Sequence, residues 1–302
     1  FLAKDETADR KNGQVAFSYV VKPHGAQAAS LPPPPPPGPQ RRPPQGPPPP
    51  PPPARNLPTR QTLRDQGDGT VIDETTGLMW QQADGGEMTA DRAAPYAQQL
   101  SLGGHHDWRV PTARELFSIL DHDRNPALDP RIFPPTGAEY WWSSQTMTGD
   151  PNRVWVVNAG GGVGPHPRNE TLSAGGPKRF HTRSVRDVSA GDRRADQRFR
   201  ANGDGTVTDR TTHLIWQQSG PGEDLTWDDA LHYAATLSLG GATGWRLPTI
   251  VELQSLNDES QMSPSIDRTA FPDTKPTRYW SSTTLFGRDT LRAWFLEFRA
   301  GI

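Results

Sequence analysis

The sequence contains no cysteine among its 302 residues. This absence excludes disulfide bonds, zinc sites with cysteine ligands and thiol nucleophiles. Long apolar runs are also missing: no stretch of 18 or more apolar residues occurs, so the sequence predicts no membrane-spanning helix. Hydrophobic residues make up only 32% of the chain, against roughly 45–50% in globular domains when glycine is counted. Part of the chain is therefore expected to lack a core.

The apolar deficit is concentrated in a proline-rich segment, residues 32–53, where 16 of 22 residues are proline. Each proline ring fixes φ and removes a backbone donor, so this segment is expected to form a polyproline II helix. At about 3.1 Å per residue it would make a semi-rigid spacer of roughly 70 Å. The alternative is a ligand for SH3-type modules, for which residues 41–44 are suitable. The spacer is the favoured interpretation.

Charge is unevenly distributed between the two ends of the chain. Residues 1–60 carry eight Lys and Arg against three Asp and Glu, and the remainder has a net charge of −7. An acidic globular part argues against binding to a nucleic-acid backbone. The chain begins with Phe1 rather than methionine, and we expect a signal peptide to have preceded it.

An internal repeat dominates the rest of the sequence. Residues 66–82 (QGDGTVIDETTGLMWQQ) recur as residues 202–218 (NGDGTVTDRTTHLIWQQ). The motifs Leu-Ser-Leu-Gly-Gly, Trp-Arg-Val/Leu-Pro-Thr and Glu-Leu follow in both copies. Two copies of so long a period indicate tandem domains rather than a solenoid. The predicted domains are residues 63–188 and 199–302, joined by a linker at 189–198 and preceded by a spacer at 1–62. The second copy is expected to lack about the last 25 residues of the unit.

Each copy has the local signals of a small α+β domain. Asp68-Gly69 and Asp204-Gly205 are typical of hairpin turns, with β-branched residues on both sides. Thr89 and Thr226 are expected to cap a first helix, and Thr112 with its later equivalent Thr249 a second. Two helices among many short strands predict the α+β class.

Six residues are predicted to have structural roles because they recur in both copies. Tryptophans at matching positions suit a buried core, and Glu115 and Glu252 complete capping boxes and are therefore explained without catalysis. The predicted structural residues are Trp80, Trp108, Glu115, Trp216, Trp245 and Glu252.

The order Asp-Gly-Thr, Gly-Leu-Met-Trp, Leu-Ser-Leu-Gly-Gly, Trp-Arg-Val-Pro-Thr, Glu-Leu and Tyr-Trp-Ser-Ser resembles the C-terminal domain of Legionella collagen-like (Lcl) adhesins. The resemblance implies tandem C-type-lectin-like domains, distantly related to formylglycine-generating-enzyme folds. It also implies a bacterial protein that is extracellular, at the cell surface or periplasmic, and that binds sulfated polysaccharide. The polyproline segment replaces the family's collagen-like stalk, so the resemblance does not carry over the trimeric state.

Metal and catalytic constellations do not recur between the copies. His105-His106-Asp107 corresponds to Ala242-Thr243-Gly244, which favours a polar loop over a metal site. A calcium loop through Asn202, Asp204 and Asp209 would place Arg200 at the first ligand position. The sequence therefore predicts no metal, no cofactor, no catalytic residue and no enzymatic activity.

A ligand site is predicted on the closing segment of the first unit, where basic residues accumulate. Arginine there would supply paired donors to an anionic glycan, and Trp142 and Trp227, which lack an aligned counterpart, would stack on sugar rings. Solvated surface charges are the alternative interpretation, and a structural or protein-binding display domain of the envelope is the alternative function. The candidate ligand-binding residues are Trp142, Arg168, Lys178, Arg179, His181 and Arg183.

Overall fold

The computed structural model describes residues 7–9, 21–23, 63–170, 172–173, 176–177, 180–188, 198–285 and 292–301. Near the N-terminus it has two three-residue strands, β1 (Thr7–Asp9) and β2 (Val21–Pro23). The rest forms two similar units, called here the first domain (residues 63–188) and the second domain (residues 199–302). Both are mixed structures with mostly short strands and few helices.

In its described residues, the first domain contains two four-stranded sheets, a two-stranded sheet of β9 and β10, and two helices. Its first sheet has the order β12-β5-β4-β3, and its second has the order β11-β6-β7-β8, in which only β11 and β6 are parallel. The elements are β3 (Leu63–Asp65), β4 (Thr70–Asp73), β5 (Leu78–Gln81), α1 (Ala90–Gln99), α2 (Ala113–Ser118), β6 (Tyr140–Met147), β7 (Asp150–Asn158), β8 (Val163–Pro167), β9 (Leu172–Ser173), β10 (Gly176–Pro177), β11 (Phe180–His181) and β12 (Val185–Asp187).

The second domain repeats this arrangement with β13-β14-β15 in place of β3-β4-β5 and β16-β17 in place of β6-β7. Its elements are β13 (Phe199–Ala201), β14 (Thr206–Asp209), β15 (Leu214–Gln217), α3 (Trp227–Thr236), α4 (Ile250–Gln254), β16 (Arg278–Thr284) and β17 (Arg292–Glu297). The register is preserved, since Val71 pairs with Trp80 in the first domain as Val207 pairs with Trp216 in the second.

An aspartate stabilises the hairpin turn before β4 in the first domain and the one before β14 in the second. Asp68 Oδ1 accepts hydrogen bonds from the Thr70 amide at 3.0 Å and the Thr70 hydroxyl at 2.6 Å. Asp204 does the same for Thr206, at 3.0 and 2.6 Å. These bonds lower the pKa of both carboxyl groups. The shared motif thus stabilises the turn directly.

The second helix of each domain begins at the predicted capping box. Thr112 accepts from the Glu115 amide while the Glu115 side chain accepts from the Thr112 amide, and Thr249 and Glu252 repeat the pattern. Each glutamate also receives two hydrogen bonds from an arginine, Arg109 or Arg246, at 2.7 and 2.8 Å. Thr89 occupies the cap position of α1 without a side-chain bond.

The recurring tryptophans lie in the core at matching places. Trp80 and Trp216 are fully buried in the centre of their sheets, and Trp108 and Trp245 are 3% exposed. Trp108 donates its indole N–H to the His105 carbonyl at 3.2 Å, and Trp245 donates to the Ala242 carbonyl at 3.1 Å. Residues 105–107 and 242–244 differ in sequence, yet the same tryptophan hydrogen bond holds this loop in both domains.

The two domains share a continuous apolar contact. Helix α2 packs against α4, and Ile250 and Trp294 join the core of the first domain. His122 stacks edge-on with Trp294 at 5.1 Å between ring centroids. At the equivalent place in the second domain, the buried Glu259 accepts from Gln145 of the first at 3.1 Å. Burial lowers the pKa of His122 to about 4 and raises that of Glu259.

Two strands from the N-terminal region belong to the second domain, which the prediction of a spacer over residues 1–62 did not anticipate. Strand β2 pairs with β15 where β12 pairs with β5 in the first domain. Strand β1 pairs with β17 where β8 pairs with β7. The proline-rich segment itself lies outside the described residues.

Candidate ligand-binding surface

Two residues of the predicted basic site on the closing segment of the first domain are buried. Arg183 is 1% exposed and His181 is 5% exposed. The guanidinium of Arg183 lies 4.7 Å from the ring centroid of Phe133 and donates to the Gln81 carbonyl at 2.7 Å. These two side chains are buried because this part of the closing segment runs through the interior of the unit, so that they face other parts of the domain.

The buried carboxylate of Asp84 hydrogen-bonds to His181 and compensates the charge of Arg183. Its carboxylate accepts from His181 Nδ1 at 2.8 Å, from the Trp141 indole at 3.0 Å and from the hydroxyl of Thr136. Burial would raise the pKa of Asp84, but these bonds and the nearby Arg183 charge outweigh it and lower the pKa to about 2. The cluster is a structural network that holds strands β6 and β11 to the loop after β5.

Two further basic residues of the closing segment have acidic partners. Arg168 forms an ion pair with Asp91 at 3.0 Å, and Arg186 forms one with Asp107 at 2.6 Å. The side chains of Lys178 and Arg179 lie outside the described residues. The two ion pairs neutralise the charges of Arg168 and Arg186.

The two tryptophans predicted to lie on the surface are buried. Trp142 is fully buried and donates to the Met88 carbonyl at 2.8 Å, while Trp280 donates to the corresponding Leu225 carbonyl at 3.1 Å. Trp142 is therefore the structural equivalent of Trp280, and the pairing register makes Tyr279 the equivalent of Trp141. Trp227 is 3% exposed and donates to the Ser281 carbonyl. Neither tryptophan is accessible to a sugar ring.

The residues considered for calcium have other partners. Asp204 organises the hairpin turn described above, and Asp209 forms a two-point ion pair with Arg198 at 2.6 and 3.0 Å. Throughout the described part of the chain, no group of three or more His, Asp or Glu side chains has a geometry that suits a metal ion.

An open cavity of about 410 Å³ lies on the outer face of the β13-β14-β15 sheet. Backbone pairing sets Arg200 beside Thr208 and Thr208 beside Ile215, so that these three residues form a row across the sheet. Three further residues next to the ends of these strands, Asn202, Arg210 and His213, line the same cavity. The cationic face, as we call it, consists of Arg200, Asn202, Thr208, Arg210, His213 and Ile215.

The cationic face differs from its counterpart in the first domain by a reversal of charge. Arg64 and Glu74 occupy the positions of Arg200 and Arg210, and they form an ion pair at 3.2 Å. Here two arginines stand in place of that pair, and both are exposed. The side-chain amide of Asn202 donates a hydrogen bond to the Thr208 hydroxyl at 3.0 Å. Both residues add neutral polar groups to the face. The face is suited to an anion rather than to an apolar ligand.

His213 reaches this face through an uncommon backbone conformation. Its φ is +57°, in the left-handed region, and the equivalent residue in the first domain is Gly77 with φ +68°. A side chain in this region costs roughly 1–2 kcal/mol relative to glycine. Strained backbone of this kind is concentrated at functional sites. The second domain thus tolerates strain that the first avoids, and places an imidazole beside two arginines.

The sequence carried a signal for this surface. The repeat aligns Glu74 with Arg210 and Gly77 with His213, and both changes increase basic character in the second copy. The closing segment of the first unit has more basic residues, but only the pairing of the strands shows which of these side chains are buried.

The fold and this surface define the protein as a tandem pair of small α+β domains with an open cationic face on one copy. The chain belongs to the Lcl C-terminal domain family, whose sequence model matches residues 69–186 and 205–302. The two matched segments are tandem copies. No curated protein and no solved structure matches the sequence.

Membership of this family indicates a surface-associated binding or adhesion role. None of the described helices is long and apolar enough to cross a lipid bilayer.

Proposed function

We propose that the protein is an exported adhesin module that binds an acidic or sulfated polysaccharide through the cationic face of the second domain, without catalysing a reaction. The observation that carries this proposal is the pair of exposed arginines, Arg200 and Arg210, at the two positions where the first domain has an arginine and a glutamate. The sequence-based prediction places the ligand on the closing segment of the first domain, but His181 and Arg183 there are buried and Arg168 is paired with Asp91.

The chemistry of the cationic face fits a repeating anionic ligand. Arginine presents several donors in a planar fork, which matches the oxygens of sulfate or carboxylate. The neutral Asn202 and Thr208 line the same face and provide donors and acceptors suited to hydroxyl groups. An open face, rather than a closed pocket, accommodates a chain that extends past the site on both sides.

A binding role without catalysis is supported by the polar groups of the first domain. One acid–imidazole pair, Asp84 and His181, is buried, and the two side chains are directed at each other at 2.8 Å. Asp84 is also saturated with hydrogen-bond donors from Trp141 and Thr136. These residues are thus explained by stability alone.

We also propose a C-type-lectin-like fold for each domain. In the first domain the opening strand β3 and the closing strand β12 lie in one sheet, with two helices between them in sequence. This closed arrangement, in which both ends of the unit meet in one sheet, supports the proposal.

Replacing Arg210 with glutamate is expected to weaken binding of heparin-like polysaccharide by about 10-fold or more, because a charge-assisted hydrogen bond contributes roughly 1.5–3 kcal/mol. The change recreates the ion pair of the first domain. Binding by the unaltered protein is expected to weaken with added salt. Affinity chromatography and calorimetry at several salt concentrations measure both effects.

Two variants separate binding from folding in this experiment. His213→Gly, the residue found in the first domain, is expected to stabilise the second domain by about 1 kcal/mol by relieving the positive φ and yet to weaken binding. Arg64→Glu makes the same Arg-to-Glu change on the equivalent face of the first domain, at the position that corresponds to Arg200, and is expected to leave binding unchanged. Equal losses for Arg64→Glu and Arg210→Glu would contradict the assignment of the site, and no retention of the unaltered protein would contradict the function.

A further inference from the structure

The second domain is closed by strands that come from the far end of the chain. In the first domain, His166 of β8 is paired with Val154, and Val185 of β12 is paired with Trp80. In the second domain the corresponding partners are Ala8 of β1 with Ala293 and Val21 of β2 with Trp216. Strands β1 and β2 therefore occupy the places that β8 and β12 occupy in the first domain. We call these two strands, residues 7–9 and 21–23, the donor segment.

The backbone contacts of the donor segment reproduce those of the first domain. Val21 donates to the Arg246 carbonyl at 2.9 Å and accepts from the Arg246 amide at 3.3 Å. Val185 and Arg109 exchange the same two bonds, each at 2.9 Å. The closing position on β15 is thus a formed acceptor for one extended segment, and its register is fixed.

Val21 also completes the core of the second domain. Its side chain has no exposed surface and packs in a cluster with Val207, Trp216 and Leu253. Removing β2 would leave one edge of β15 without a neighbouring strand and open this cluster to water. Exposed strand edges with apolar residues recruit other chains. Some closing segment must therefore cover β15 and β17.

The source of the closing segment differs between the two domains. In the first domain it follows β7 directly in the sequence. In the second domain it precedes the entire first domain and is joined to it by a 39-residue connection, residues 24–62, that contains the proline-rich spacer. Such a connection gives the donor segment a long reach, because extended polyproline spans about 3.1 Å per residue.

We propose that the donor segment of one copy of this chain also closes the second domain of another copy, so that the protein assembles head to tail by strand exchange. The bonds and the buried valine are identical whether the donor comes from the same chain or from its neighbour. Swapping of an identical element between copies has a low free-energy cost for this reason. Strand addition to a sheet edge is an established mode of recognition between chains.

The composition of the connection favours the exchange between copies. A flexible linker of matched length would hold the donor at a high effective concentration near its own second domain. Because 16 of the 22 residues from 32 to 53 are proline, the sequence predicts a semi-rigid spacer instead of a flexible linker. Exchange that continues from copy to copy generates chains of molecules, whereas reciprocal exchange between two copies gives a closed dimer.

Cysteine trapping in the full-length chain tests the proposal, because the natural sequence has no cysteine. Ala8→Cys and Ala293→Cys are introduced into separate chains that carry tags of different mass. The paired strands place these residues opposite each other, in the range of Cα separations that a disulfide spans. The two variants are mixed, refolded together from urea and oxidised mildly. We expect a mixed disulfide dimer whose yield rises with protein concentration.

A matched pair in the first domain provides the control. His166→Cys and Val154→Cys occupy the corresponding positions, and in separate chains they are expected to give little mixed dimer because that closing strand follows its own sheet. A third sample carries Ala8→Cys and Ala293→Cys in one chain. Mixed dimer no more abundant than in the control pair would overturn the exchange between copies, whether or not the single chain forms its internal disulfide.

Discussion

Val21→Asp is expected to destabilise the second domain by about 4 kcal/mol or more, which is the range of substitutions that bury an unpaired charge. The valine is fully buried in a cluster with Trp216 and Leu253, although these residues follow it by 195 and 232 positions in the sequence. Urea unfolding followed by tryptophan fluorescence measures the loss. Hydrogen exchange resolved by peptide assigns it to the second domain.

Val185→Asp is the matched control for this prediction. Val185 is also fully buried and pairs with Trp80 in the equivalent register, so a comparable loss is expected in the first domain. If Val185→Asp destabilised the protein and Val21→Asp left the unfolding curve unchanged, the donor segment would have no role in closing the second domain.

Asp84→Ala is expected to destabilise the first domain by about 3–5 kcal/mol, because removing one partner of a buried ionic cluster leaves the other charge without compensation. The guanidinium of Arg183 is 1% exposed and its Nη2 lies 3.8 Å from Asp84. His181 and Trp141 also lose their acceptor. Glu74→Ala removes an exposed ion pair in the same domain and is expected to cost at most about 0.5 kcal/mol.

The pH dependence gives this prediction a second readout. The folded pKa of Asp84 is about 2, below the value of 3.8 in the absence of its partners. The carboxylate therefore stabilises the folded state fully above pH 3.8, and this contribution is lost as the pH falls toward 2. Asp84→Asn, which keeps the shape without the charge, should remove about 2 kcal/mol of that pH dependence. An unchanged pH profile in Asp84→Asn would contradict the assigned role.

Sequence reasoning was most reliable where local chemistry decides the structure. The capping boxes at Thr112 and Thr249 and the turns at Asp68 and Asp204 depend on residues within four positions of each other. The repeat then placed the recurring tryptophans in two equivalent cores. These features need no knowledge of long-range pairing.

The burial of three of the predicted ligand residues, Trp142, His181 and Arg183, has a long-range cause. Aligning the two copies by sequence leaves Trp142 without a counterpart. In the structure its indole donates to the Met88 carbonyl as that of Trp280 donates to the Leu225 carbonyl, so Trp142 and Trp280 are equivalent. Arg183 and His181 face Asp84, about 100 residues earlier, which no local pattern indicates. Basic composition identified the chemistry of the segment but not the direction of its side chains.

Local sequence patterns also do not predict the pairing of the donor segment with the second domain. Strands β1 and β2 have three residues each, and their partners lie in the last third of the chain. The sequence Val20-Val21-Lys22 does match Ser184-Val185-Arg186 in its central valine and following base. So short a likeness becomes informative only when the sheet edge it covers is known.

The central claim is that one folding unit occurs twice and that N-terminal strands close the second domain. Amide hydrogen exchange at four residues tests this claim most directly. The amides of Val21 and Arg246 are hydrogen-bonded to each other's carbonyls, as are those of Val185 and Arg109. We predict protection of Val21 and Arg246 comparable to that of Val185 and Arg109. Exchange of Val21 and Arg246 at the rate of an unstructured chain, with Val185 and Arg109 protected, would contradict the account.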